Sequence, residues 1–237
     1  MIRKDDIPGR LFSLADPGYR DFSASLMPGV ARERVIGVRT PALRQLAREL
    51  WGTPTAEAFL LNLPHRYFEE NQLHAFLCER EGDVAASLAR CQKFLPYIDN
   101  WATCDQFVPR AFARSPEALS DVLPVWLTSD HPYTVRYAIL ARMRYFLSDE
   151  RFSPRYPEEI AGVRMGWHYY VDMAVAWYFA TAAAKQEAAA RPFLLALPPA
   201  VRNKAIAKAR ESFRVPAAVK EELARLRVPG VPALRPY

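Results

Sequence analysis

Residues 41–51 read PALRQLARELW, and this stretch shows most plainly which kind of fold the chain adopts. From Leu43 onward its apolar residues fall at positions i, i+3, i+4 and i+7, with polar and charged residues between them. That spacing places the apolar side chains on one face of an α-helix. Proline is favoured in the first turn of a helix, where its missing N–H is not needed. The stretch therefore predicts an amphipathic helix that begins near Pro41.

The same period recurs along most of the chain. Alternating residues bounded by turn signals, which would indicate β-strands, are hard to find. Prolines such as Pro132, Pro192 and Pro216 lie at the boundaries of periodic segments, where a missing N–H costs least. The sequence thus predicts an all-α protein. Further helices are predicted within residues 67–80, 84–95, 116–127, 132–147, 170–185, 202–213 and 216–227.

The predicted helices recur at intervals of roughly 32–36 residues, which is within the range of helical-pair repeats. Stacked helix pairs form a solenoid whose concave face meets a large partner. We therefore predict a right-handed superhelix of HEAT-like antiparallel helix pairs, an α-solenoid, that spans residues 1–237 as a single domain. A compact, irregular helical domain is the alternative. The recurrence rests on helices that open near Tyr67, Trp101, Tyr133 and Tyr169.

Several classes of site are disfavoured by composition. The three cysteines show no CxxC spacing and the four histidines show no paired spacing, which argues against a disulfide framework and a zinc site. We expect no cofactor and no metal. The sequence contains no apolar run long enough to cross a bilayer and no secretory signal. A cytoplasmic location without a membrane partner is therefore expected.

The net charge of +6 is concentrated at one end of the chain. Residues 201–237 hold nine Lys or Arg and three acids, so this region accounts for the whole excess. Clustered cations attract phosphates and release counterions from nucleic acid. The C-terminal region is therefore a candidate surface for a polyanion. A solvated basic helix would explain the charge equally well.

A first candidate site lies in IDNWATCDQF, residues 98–107. Either Asp99 or Asn100 suits the N-cap of a helix that starts at Trp101. Trp101 and Asp105 are then neighbours on one helical face, where a carboxylate beside an indole could stabilise an oxocarbenium-like transition state. On these residues alone, the favoured alternative is that Trp101 belongs to the core and Asp105 satisfies a neighbouring backbone group or arginine.

Two further segments contain candidate binding residues. Arg136 lies one turn after a predicted helix start, and its planar guanidinium suits a phosphate, although it could instead pair with Asp105 or another acid. Tyr170 and Trp177 are seven residues apart and fit one helical stripe. Such aromatics usually pack in a core. In a groove, Trp177 could instead form half of an aromatic clamp around a sugar or base.

These segments, taken in order, resemble the DNA alkylation repair family, the AlkD-like glycosylases built from HEAT-like repeats. The family's DNW-x-x-x-D segment supplies a Trp and the catalytic Asp, which match Trp101 and Asp105. Its R-x-A-I-L segment supplies an Arg that matches Arg136, and an A-W segment supplies a second Trp that matches Trp177. The resemblance runs through VIGVRTPALRQLAREL, IDNWATCD, VRYAIL, MAVAWYFATAAAKQ and NKAIAKARES.

The resemblance implies hydrolysis of the N-glycosidic bond of cationic N3- or N7-alkylated purines in duplex DNA, by a monomer without a cofactor. Asp105 would stabilise the oxocarbenium-like sugar and position a water, while Trp101 and Trp177 pack against the deoxyribose. A non-catalytic HEAT-like protein that binds damaged or branched DNA is the first alternative, and a helical scaffold for protein partners is the second. The expected DNA contacts are Arg136, Tyr170, Lys204, Lys208 and Arg210.

Overall fold

The computed structural model describes residues 6–236, and all regular secondary structure within that range is helical. This confirms the all-α prediction. The chain divides into two compact units, the first ending at Ala118 and the second beginning at Leu119. The HEAT-like superhelix and its extent as one domain stay predictions. None of the helices within residues 6–236 is long and apolar enough to span a lipid bilayer.

Residues 6–118 of the first unit form eight short α-helices. Short polar side chains start several of them: Asp16 accepts a hydrogen bond from the Tyr19 N–H at 3.0 Å, and Asp83 accepts from the Ala86 N–H at 2.8 Å. Such caps satisfy N–H groups that have no partner within the helix. The helices are α1 (Ile7–Ser13), α2 (Pro17–Leu26), α3 (Thr40–Leu50), α4 (Pro54–Leu61), α5 (Phe68–Cys78), α6 (Val84–Phe94), α7 (Trp101–Gln106) and α8 (Arg110–Arg114).

The central helix of the first unit is α5, because all of its residues are buried. Its Glu69 carboxylate accepts hydrogen bonds from the backbone N–H groups of residues 36–38, at 2.8, 2.6 and 3.3 Å. Gly37 has a φ of +97°, and a Cβ at this position would lie 2.6 Å from the Arg20 Cβ. Only glycine fits this turn. Glu69 therefore ties the chain that precedes α3 to the core.

Seven α-helices form the described part of the second unit, residues 119–236. The longest of them, Tyr169–Lys185, buries several small residues, including Ala174, Ala176 and Ala180. These small side chains let neighbouring helices approach closely. This helix packs most extensively against the helices that begin at Pro132 and Pro199. The helices are α9 (Val122–Leu127), α10 (Pro132–Tyr145), α11 (Arg155–Ala161), α12 (Tyr169–Lys185), α13 (Glu187–Ala196), α14 (Pro199–Glu211) and α15 (Ala217–Arg225).

Two predictions are wrong: the extent of one helix and the position of Pro192 at a helix boundary. The single helix predicted over residues 116–127 is a short 3₁₀ helix, Pro116–Leu119, followed by α9. A continuous helix would need an N–H at Pro124, whereas a start at Val122 places this proline in the first turn, where none is needed. Pro192, expected at a boundary, lies inside α13. The four predicted helix openings are confirmed, at Phe68, Trp101, Pro132 and Tyr169.

Candidate functional site

The short helix α7 carries the predicted carboxylate. The Asn100 side chain accepts a hydrogen bond from the Thr103 N–H at 2.7 Å, which confirms the capped start at Trp101. Residues 102–104 are buried, whereas Trp101 and Asp105 are only half-buried. Because they are four residues apart, the indole and the carboxylate share the less buried side of α7.

The chain that leads into α7 is fixed by polar contacts. Asp99 pairs with Arg34 at 2.7 Å and also accepts a hydrogen bond from the Asn100 amide at 2.9 Å. The Arg34 Nε in turn donates to the Arg66 carbonyl at 2.9 Å. Asn100 is therefore the cap, and Asp99 orients it. This support holds Asp105 on a rigid element, which a reacting carboxylate requires.

Trp101 has both a structural contact and an accessible part. Its Nε1–H donates to the Leu26 carbonyl at 3.1 Å, which sets the orientation of the ring. The ring also packs against a small apolar cluster, as the core interpretation expects. Because the side chain is not fully buried, part of the indole remains accessible. The buried members of the cluster are Met27, Val30, Val35, Phe68 and Ala102.

Arg136 and Tyr170 are brought together in the second unit. Arg136 on α10 is 5% exposed, and its Nη1 donates to the Tyr170 carbonyl at 2.7 Å. The guanidinium carbon lies 6.0 Å from the centroid of the Tyr170 ring. The Tyr133 and His168 rings pack beside them, with centroids 5.6 Å apart. Burial lowers the pKa of His168, and the charges of His131 and Arg136 lower it further.

This contact predicts a structural role for Arg136 in the absence of any ligand. We expect Arg136→Met to lower the free energy of unfolding by about 2 kcal/mol, because the half-buried Tyr170 carbonyl would lose a charge-assisted hydrogen bond. Urea denaturation measures the change, with the exposed Arg151→Met as the matched control. Equal stabilities of the two variants would contradict this role.

Trp177 and Lys208 are also neighbours. Trp177 on α12 is 38% exposed, and the Lys208 Nζ on α14 lies 5.9 Å from the centroid of its ring. This distance is within the range of a cation–π interaction. Both side chains line a surface cavity of about 340 Å³, together with Lys185, Glu211 and Arg214. The cavity therefore combines an indole with three cations and one acid.

The other predicted basic contacts lie elsewhere on α14. Lys204 is half-buried, one turn before Lys208, and Arg210 is exposed near the end of the helix. Neither lines this cavity. Two cations at the cavity are not among the residues singled out from the sequence. Helical spacing could have identified Lys185, which lies two turns after Trp177 on α12. Arg214 belongs to the predicted basic region, residues 201–237, but is not among the predicted DNA contacts.

Possible metal ligands are dispersed in the part of the chain that the structure describes. Within residues 6–236, no three His, Cys, Asp or Glu side chains are grouped so that they could hold a metal ion. The side chains of His65 and His74 meet in the core of the first unit. On the less buried side of α7, the polar groups are the Asp105 carboxylate, the Gln106 amide and the Trp101 indole.

Comparison with known proteins gives one family. The model of the DNA alkylation repair enzyme family matches residues 9–214, a span that includes α7, α10, α12 and α14. No curated protein matches the chain significantly. The family match covers most of the sequence and all eight of the predicted site residues. The chain belongs to the DNA alkylation repair enzyme family.

Proposed function

We propose that the protein is a DNA glycosylase that hydrolyses the N-glycosidic bond of N3- and N7-alkylated purines in duplex DNA. The observation that carries the proposal is the placement of Asp105 beside Trp101 on the less buried side of a firmly capped helix. Membership of the DNA alkylation repair enzyme family supports alkylated DNA as the substrate. The reaction requires a carboxylate but no strong general acid, and Asp105 supplies that carboxylate.

The alkylated purine is a cation, so it leaves as a neutral base when it takes the electron pair of the glycosidic bond. Positive charge then develops on the deoxyribose, as in glycoside hydrolysis. The Asp105 carboxylate stabilises that charge electrostatically and orients a water molecule that adds to C1′. As it adds, the water loses one proton through Asp105 to solvent, which leaves a neutral abasic sugar. No strong general acid is required, because alkylation has already activated the leaving group.

The other predicted residues have binding roles in this proposal. Trp101 and Trp177 each pack an indole face against a deoxyribose, which places apolar surface and π-electrons next to the developing cation. Arg136 holds a backbone phosphate, with Tyr170 packed against it. Phosphate contacts position the duplex without reading its sequence. Lys204, Lys208 and Arg210 supply the wider phosphate contacts.

Single-turnover release of N7-methylguanine and N3-methyladenine from methylated duplex DNA tests the proposal. We expect release of free base and formation of abasic sites at enzyme excess. Tight, salt-dependent DNA binding without any abasic product would instead support the non-catalytic binding protein. No detectable DNA binding at low salt would exclude both DNA-based functions and leave the protein scaffold.

The proposed phosphate contact of Lys208 on α14 gives a separate prediction. Lys208→Gln removes one phosphate contact, so we expect weaker binding to all duplexes and a salt dependence that is shallower by about one unit. The measurement is Kd at several salt concentrations by fluorescence anisotropy. Lys93→Gln, which removes an exposed lysine from α6 in the first unit, is the control. An unchanged slope for Lys208→Gln would show that this lysine does not contact DNA.

A further inference from the structure

Phe213 is a large apolar side chain that the fold does not bury. It lies between α14 and α15, and its relative exposure is 103%. The next most exposed large hydrophobic residues in residues 6–236 are Leu61 at 68% and Val125 at 67%. A fully exposed aromatic ring gains nothing from the folding of the chain. Its position therefore points to a role in binding a partner.

The segment that carries Phe213 is anchored on both sides. The Ser212 N–H donates to the Ala209 carbonyl at 3.2 Å, and the Ser212 Oγ accepts from the Arg214 N–H at 3.2 Å. Val215, two residues after Phe213, is 3% exposed. The chain therefore leaves α14 in a defined turn that holds the phenyl ring outward.

The segment that carries Phe213 adjoins a cavity lined by cations. The neighbours of Phe213, Ser212 and Arg214, line the 340 Å³ cavity, where Lys185 and Lys208 also lie and Glu211 is the one acidic residue of the lining. The cavity thus combines the Trp177 ring with three cations, and the exposed Phe213 ring lies between two residues of its lining. Cations attract the phosphates of nucleic acid, and aromatic rings stack on its bases.

We propose that Phe213 is an aromatic wedge that enters the base stack of duplex DNA, while Arg214 and Lys208 contact the phosphates on either side. Apolar side chains inserted in this way unstack a base step and bend the duplex. The inference rests on the proposed function only in taking DNA as the partner. It concerns binding, so it can be tested without base excision.

The test uses undamaged duplexes with 2-aminopurine at a TA step, which is easily unstacked. We expect the wild type to raise 2-aminopurine fluorescence on binding and Phe213→Ala to abolish this increase. Phe213→Ala is also expected to weaken binding by about tenfold, as the loss of one base–aromatic stack does. The salt dependence of binding stays as in the wild type, because no charge is removed.

Matched variants separate the wedge from other effects. Phe213→Trp is expected to keep both the affinity and the fluorescence increase, whereas Val125→Ala, at another exposed apolar site, changes neither. Thermal unfolding of Phe213→Ala is expected to match that of the wild type, since the ring has no contacts to lose. A Phe213→Ala variant that binds and unstacks DNA like the wild type would overturn the wedge.

Failure of the wedge can be distinguished from failure of the proposed function. A wild type that releases methylated bases while Phe213→Ala binds and unstacks DNA normally overturns the wedge alone. A wild type that binds and unstacks DNA through Phe213 without releasing any base overturns the glycosylase alone. If the wild type binds no duplex at low salt, both proposals are wrong.

Discussion

We expect Asp105→Asn to lower the single-turnover rate of base release by about 10²- to 10³-fold, as when one preorganised electrostatic group is removed. The amide is nearly the same size as the carboxylate but carries no charge. It can neither stabilise the cationic sugar nor orient the attacking water as a carboxylate does. DNA binding is expected to persist, because the change removes no cation. The measurement is release of N7-methylguanine at saturating enzyme.

The matched control for this variant is Asp130→Asn, which removes the same charge from a side chain that is 97% exposed in the second unit. It is expected to release base at the wild-type rate. Thermal unfolding of both variants checks that the fold is intact. If Asp105→Asn released base as fast as Asp130→Asn, the proposed chemical role of Asp105 would be contradicted. This holds whether or not DNA binding changes.

The sequence could predict what depends on neighbouring positions along one helix. The pairing of Trp101 with Asp105 follows from a four-residue separation on a helix, and a cap at Asp99 or Asn100 follows from the preference for short polar side chains. Both are local properties. Their prediction needs no knowledge of how helices pack, and the structure confirms the capped helix start.

What the sequence could not predict depends on contacts between helices. Lys208 reaches Trp177 because α14 packs on α12, and helical spacing does not specify that pairing. The partner of Arg136 is a backbone carbonyl, which is present at every position and so leaves no pattern. Charged residues are usually exposed, so nothing in the sequence pattern marks Glu69 as a fully buried carboxylate.

The second large effect is expected from the histidines of the first unit. The His65 Nε2 and His74 Nδ1 atoms are 2.9 Å apart in the core. The His65 ring stacks on Phe59 with centroids 4.3 Å apart, and the His74 ring stacks on Phe94 at 3.9 Å. A hydrogen bond between two ring nitrogens needs one of them to be an unprotonated acceptor. Two imidazolium ions therefore cannot occupy this site.

Burial keeps both rings neutral. It lowers the pKa of His65 to about 4 and, together with the positive charges of His65, Arg90 and Lys93, lowers the pKa of His74 to about 2. In the unfolded chain both histidines have a pKa of about 6.5. The unfolded state therefore binds more protons below pH 6.5. The stability that this pair contributes is complete above that pH and is lost as the pH falls towards the folded-state pKa values.

Between pH 6.5 and 5 the two histidines together are expected to cost about 3 kcal/mol of unfolding free energy. Burial raises the pKa of Glu69 and Glu79, so these carboxyl groups bind protons more tightly in the folded state and act in the opposite direction. A single pH profile mixes the two effects. Comparison with His65→Gln separates them, because the amide can still hydrogen-bond to His74 but does not titrate in this range.

Urea denaturation of the wild type and His65→Gln at pH 7, 6.5, 5.5 and 5 measures the histidine contribution. We expect the variant to lose about 1.5 kcal/mol less than the wild type between pH 6.5 and 5, since one titrating group is gone. NMR of the folded wild type gives an independent check, because neither ring signal is expected to titrate above pH 5. Ring signals that titrate near pH 6.5 in the folded protein would mean that the core accepts the charge. The two pH profiles would then run parallel.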